Sequence, residues 1–146
     1  MAEIRYTIPF EGRTKKNSMK IASAGRCCPK CGKREKQWIM QGDANNNFSE
    51  AAAYYIRPRP PRPIECPVNV KCLFYMKTRA IVDGLNLQAA IDDLLVSCKV
   101  LKDDNSRIVA GHDGSRVLYD KDKPRVEIII TKMPDENPEQ MRIGEL

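Results

Sequence analysis

At 146 residues and 16.6 kDa the chain can build one ordinary core but not two. Hydrophobic residues at 42% and charged residues at 30% exclude a disordered chain. No apolar run approaches the roughly 20 residues of a membrane helix, so no membrane partner is expected. The net charge of +6 points to a polyanionic partner, and it is unevenly placed. Residues 1–63 carry 13 Lys/Arg against 5 Asp/Glu, whereas residues 64–146 carry 12 against 14.

Residues 3–10 alternate through Ile4, Tyr6, Ile8 and Phe10, which predicts a first strand ending near Pro9. Its charged start, Met1 to Arg5, lacks the apolar segment of an export signal, making the cytoplasm the default expectation. A basic loop follows, Gly12 to Ser18. Residues 19–46 hold a cysteine cluster and read as an excursion from the core, with hairpin geometry one option. Phe48 to Ile56 has the pattern of a short helix. Arg57 to Pro63 alternates Arg and Pro and is a stiff extended connector, because proline fixes φ and removes a donor.

Residues 66–78 alternate as a long strand. Leu87, Ala90, Ile91, Leu94, Leu95 and Cys98 then recur at helical spacing, the clearest periodicity in the chain. Val126 to Thr131 forms a last strand, and the polar tail from Pro134 is expected to fray. The order predicts a single α+β domain spanning 1–146, with a mixed or antiparallel sheet packed by two helices and a cysteine-containing insertion.

Carboxylates gather around the amphipathic helix. Asp83 precedes it, Asp92 and Asp93 lie within it, and Asp103 and Asp104 follow it. Clustered carboxylates repel unless a cation neutralises them, and Mg²⁺ (or Mn²⁺) suits such hard oxygen donors. A basic half joined to an acidic half suits a metal-dependent nuclease, with one part neutralising phosphates and the other holding the metal. The plainer reading is equally open on spacing alone: Asp83 caps the helix, Asp92 is solvated and Asp103-Asp104-Asn105 is a turn.

This segment resembles the RusA family of Holliday junction resolvases, which carry Asp-x-Asp-Asn leading into a helix, a Lys in its first turn, and an Asp-Asp pair after it. Asp83 falls on the first Asp, Asn86 on the Asn, and Asp103-Asp104 on the terminal pair, without a gap. The opening, Pro9 through Lys15-Lys16-Asn17, is similar to the family's strand, proline and basic segment. The stretch Gly111 to Arg116 is similar to phage-type members. The resemblance covers about residues 4–17 and 66–131, and residues 19–46 have no counterpart in it. Leu85 stands where the family has its second Asp, and Ala89 where it has the Lys. Asp92, Asp93 and Asp113 are the nearest carboxylates to stand in.

The resemblance implies a homodimeric, Mg²⁺-dependent endonuclease in DNA recombination and repair, which resolves four-way junctions or other branched DNA by paired symmetrical nicks. It implies a catalytic set of Asp83, Asn86, Asp103 and Asp104, with Asp93 as a further metal ligand. Arg13, Lys15, Lys16, Asn17, Arg57 and Arg59 are the candidates for DNA contacts. Leu85 and Ala89 keep a second reading open, a non-catalytic structure-selective DNA-binding protein of the same fold.

Six cysteines without an export signal are expected to be reduced, with Cys72 and Cys98 in the core. Cys28-Pro29-Lys30-Cys31-Gly32 is the turn form that offers two thiolates to a tetrahedral zinc, and the adjacent Cys27 is a candidate third ligand. One Cys-x-x-Cys is half a site, which leaves a zinc-binding interaction module as a third reading. His112, the sole histidine, stands beside Asp113 after a short strand pattern, as either a general base or a bystander.

Overall fold

The structure is a computed structural model that describes residues 2–14, 19–41 and 43–133. The predicted DNA contacts Lys15, Lys16 and Asn17 and the tail from Pro134 lie outside these residues.

Among the described residues, seven strands and two helices follow in the order β1 (Ile4–Ile8), β2 (Met19–Cys27), β3 (Arg34–Gln41), α1 (Asp43–Tyr55), β4 (Val68–Met76), α2 (Gly84–Ser97), β5 (Val109–Gly111), β6 (Arg116–Tyr119) and β7 (Arg125–Lys132). The α+β expectation holds. The sheet is mixed: β7 lies between β1 and β4, antiparallel to both, and β4 pairs in parallel with β5 and β6 along its other edge.

Period-two alternation decides which face is covered. Val68, Val70, Cys72, Phe74 and Met76 of β4 are buried, as are Val126, Ile128 and Ile130 of β7 and Tyr6 and Ile8 of β1. The helices close that face. Helix α2 lays down Leu87, Ile91, Leu94 and Leu95 at spacings of three and four, and α1 adds Phe48 and Ala52. Helix α1 begins at Asp43 rather than Phe48, because its first turn is polar and carried no apolar signal.

The excursion at 19–46 is a β-hairpin in its first part. Strands β2 and β3 pair antiparallel from Met19↔Gln41 to Cys27↔Arg34 and form a sheet of their own. None of the described side chains in this hairpin is buried. Strand β5 is the short strand pattern read ahead of His112, whereas β6 was not foreseen. Strand β6 is only 4 residues long and alternates too briefly to read. Among the described residues no helix is long and apolar enough to cross a membrane.

Two returns of the chain position the polar groups. Past α2, Lys99 takes a left-handed conformation at φ 59° and ends the helix, with Val100 N donating to Leu95 O at 2.9 Å. Ile64 N then donates to Val100 O at 2.9 Å, and Lys102 N to Ile64 O at 3.1 Å. That parallel bridge turns Asp103 and Asp104 back alongside the helix that precedes them. Between β5 and β6, residues 112–115 make a turn closed by Ser115 N to His112 O at 3.1 Å. Side chains tie this turn to β4 where the ladder is interrupted. Asn69 Oδ1 accepts from Asp113 N at 2.7 Å, and Ser115 Oγ accepts from Cys72 N at 3.0 Å.

Candidate functional site

A pocket of about 390 Å³ lies between the first turns of α2 and the β5–β6 turn, lined among others by Asp83, Gln88, His112, Ser115 and Arg116. Asp83 is the N-cap of α2. Its Oδ1 accepts from Leu85 N at 3.1 Å and Asn86 N at 3.3 Å, and its Oδ2 accepts from Asn86 Nδ2 at 3.0 Å. The plain reading of Asp83 as a cap is therefore correct in geometry. It also leaves a carboxylate at the pocket wall, oriented by Asn86, with lone pairs beyond those the helix uses.

Opposite Asp83 stands a pair that neither the motif alignment nor the spacing selected. His112 Nε2 lies 2.8 Å from Asp92 Oδ2, with the Asp92 side chain only 10% exposed. Asp92 is the corrected residue here: it is buried, not solvated. With Asp92 ionised, Nε2 carries the shared proton and Nδ1 keeps its lone pair, the arrangement that orients a histidine as a base or a metal ligand. Burial pushes the Asp92 carboxyl up, opposed by the His112 charge and by the hydrogen bonds from Gln88 and His112, while Asp104 adds a like charge.

Gln88 connects these groups. Its Nε2 donates to Asp92 Oδ1 at 3.2 Å and to Cys72 Sγ at 3.3 Å. Its Oε1 is buried with no hydrogen-bond partner, the kind of orphaned acceptor that a bound donor or cation satisfies. The signal that could have found this set is the spacing Gln88–Asp92, an i, i+4 polar pair beside an apolar stripe. Cys72, in contact with Gln88, is buried and its thiol is pushed up to about 12.

The expected four-carboxylate cluster divides. Asp83 lines this pocket, whereas Asp103 lines a separate groove with Glu65, Lys102, Asn105 and Arg107. Asp103 is half of a turn: Oδ1 accepts from Asp104 N at 2.8 Å and Oδ2 from Asn105 Nδ2 at 2.8 Å, and these bonds, Asn105 first, hold its carboxyl low. Asp104 is pushed up by desolvation and by the carboxylates of Asp103 and Asp93. Its charge also acts on Asp92. The reason is length. Asp83 and Asp103 flank a 14-residue helix, which at ~1.5 Å per residue separates its ends by ~21 Å. Among the described residues no three His, Cys, Asp or Glu side chains converge to hold a metal.

The basic candidates are spread out. Arg13 lines a groove with Phe10, Asn47 and Lys77. The segment leading to it passes close to the pocket, since a Cβ on Gly12 would meet Phe74 at 3.3 Å and Leu87 at 3.4 Å. Arg57 stacks over the Tyr54 ring at 5.3 Å. Arg59 donates to Ile56 O and Ala53 O, both at 3.0 Å, and so caps the carboxyl end of α1.

At the tip of the β2–β3 hairpin, Cys28 N donates to Lys33 O at 2.8 Å and Gly32 N to Cys28 O at 2.9 Å, with Gly32 at φ 72°. The Cys28 sulfur accepts from the backbone N–H groups of Cys31 and Lys30 and from the Cys31 thiol, which lowers its pKa. Cys27 turns to Gly32 O at 3.3 Å instead and does not join the pair. No protein-family model matches this chain, and no curated protein matches its sequence.

Proposed function

We propose that this protein is a metal-dependent endonuclease acting on branched DNA, and that the Asp83–His112 pocket is where the phosphodiester is hydrolysed. One observation supports this reading above the others: His112, clamped by buried Asp92, lines the same pocket as Asp83 and as Gln88, whose Oε1 has no hydrogen-bond partner.

The donors fit a divalent cation. Asp83 offers a carboxylate oxygen and Gln88 a carbonyl oxygen, hard ligands of the kind Mg²⁺ and Mn²⁺ prefer. Such ions are commonly held by one or two carboxylates, with water and substrate phosphate completing the shell. Bound there, the cation supplies Lewis acidity and an acidified water. The chain's own groups do the rest. Asn86 fixes the Asp83 carboxylate. His112 Nδ1 accepts the proton of the attacking water, and Asp92 stabilises the imidazolium that results. Arg116, at the pocket wall, offers a cation to the scissile phosphate. Gly12 packs against Phe74 and Leu87 beside the pocket, and the cations of the basic segment that it opens would neutralise the flanking backbone. Two such sites in a homodimer would present the same surface to both sides of a two-fold junction.

A second reading has its own observation. Leu85 is 82% exposed at the pocket wall, where the resembling family has an acid, and it favours binding without cleavage.

The test is cleavage of a labelled four-way junction with Mg²⁺ and with EDTA, by wild type, Asp83→Asn, Asp104→Asn and His112→Ala. Wild type is expected to make paired nicks that EDTA abolishes, with Asp83→Asn inactive. His112→Ala is expected to cut ~10²–10⁴-fold slower, as for loss of a general base. Junction binding by all four proteins with no cleavage by any would select the binding reading.

A further inference from the structure

The cysteine turn plays no part in the proposed hydrolysis, yet it is built. It sits at the tip of a hairpin whose strands pair only with each other, away from the helix-covered sheet. Cys28 N donates to Lys33 O at 2.8 Å and Gly32 N to Cys28 O at 2.9 Å, and Gly32 takes the left-handed conformation that closes the loop around the two thiols. These are the features that hold a pair of thiolates on one corner of a tetrahedral metal.

A structural zinc takes four ligands, and this chain brings two together. Cys72 and Cys98 are buried in the core, Cys66 packs against it, and His112 is held by Asp92. Among the described residues no third metal-type side chain reaches the turn. We propose that Cys28 and Cys31 are half of a Cys₄ zinc site completed by the same two residues of a second copy of this chain, with the two-fold axis passing through the metal.

Charge and surface fit this partner. A zinc bound by four thiolates carries a net charge of −2, and Arg26, Lys30, Lys33 and Arg34 surround the turn in each copy. Two such basic tips repel until the dianionic centre lies between them. On the same hairpin Trp38 is 48% exposed, apolar surface that a facing hairpin covers. Binding is not a redox step. Each zinc displaces the thiol protons of four cysteines, and they are released to solvent.

The experiment uses the full-length chain, reduced and stripped of metal, titrated with Co²⁺ and then Zn²⁺. The expected endpoint is one Co²⁺ per two chains, with the strong thiolate-to-cobalt absorption of a four-sulfur site, loss of that absorption when Zn²⁺ displaces cobalt, and proton release during binding. Cys28→Ser and Cys31→Ser should each abolish the two-chain endpoint. Cys66→Ser should keep it. Unchanged far-ultraviolet circular dichroism will show that the exposed tip variants still fold. An endpoint of one Co²⁺ per chain, no cobalt absorption, or a Cys28→Ser protein that titrates like wild type would each overturn the proposal. None of these readouts depends on DNA cleavage.

Discussion

The helix-covered sheet and the β2–β3 hairpin are made by the same chain under opposite rules. In the first, every second residue of β4 is buried and α2 presses Leu87, Ile91, Leu94 and Leu95 onto that face. In the second, the described side chains are all at least partly exposed, and the ladder holds the strands with no core beneath it. An isolated two-stranded hairpin is marginal in water. The contrast teaches where each kind of chemistry can be placed. A buried carboxylate such as Asp92 needs the rigid region to hold its partners, whereas a thiolate pair needs only a closed turn and can add a metal to stabilise what packing does not.

The sharpest way to break this contrast is in the core. Leu95 is fully buried, so Leu95→Ala should cost ~2–5 kcal/mol of global stability, read as a lower denaturation midpoint. Amide exchange in β4 and β7 should quicken accordingly, while β2 and β3, which open locally, keep their rates. Equal acceleration in hairpin and sheet would mean that the two regions unfold as one.

The next effect is set by pH. Asp92 and Asp104 have folded pKa values raised above the ordinary 3.8, so the folded state holds their protons more tightly than the unfolded chain does. The stability they contribute is fully present below the unfolded value and is lost as pH rises through the raised folded pKa. Asp103 and Asp120 behave oppositely. Asp120 is held low first by its hydrogen bond from Arg125 Nη1 at 2.8 Å, and Asp103 by Asn105, so their contribution is lost only below 3.8. Stability should therefore rise gently on acidification toward 3.8 and fall beyond it. Asp92→Asn should flatten the first limb and leave the second, measured by urea unfolding across pH. A wild-type first limb that survives in Asp92→Asn would remove Asp92 as its source. If the proposed hydrolysis is correct, cleavage should fall over the same first limb, because protonating Asp92 removes the charge that orients His112.

What could be read in advance follows period and length. The β4 alternation and the α2 stripe extend over 9 and 14 residues, enough for their patterns to stand out. The cap at Asp83 and the turn at Asp103-Asp104-Asn105 were legible because short polar side chains hydrogen-bond their own backbone. The Asp92–His112 pair was not. Its partners are 20 residues apart, and only the parallel return of β5 beside β4 brings them within 2.8 Å. Nor could spacing reveal that Arg59 caps α1. Its acceptors, Ala53 O and Ile56 O, are backbone groups with no signature in the side-chain pattern.

The smallest expected effect tests the end of α2. Lys99 holds φ at 59°, where a Cβ crowds the carbonyl and costs about 1–2 kcal/mol, whereas glycine adopts this conformation freely but loses about 0.5–1 kcal/mol more in backbone entropy on folding. Lys99→Gly should therefore stabilise the protein by ~0.5–1 kcal/mol, seen as a small rise in the urea midpoint with an unchanged slope. The gain belongs to the sheet and helix region, because Val100 and Leu101, just past Lys99, both donate to Leu95 O and anchor the return to Ile64. Hairpin exchange should not respond. A destabilised Lys99→Gly would mean that the lysine side chain contributes more at this corner than its backbone conformation costs, and that the return carrying Asp104 toward Asp92 is fixed by side chains as well as by the helix cap.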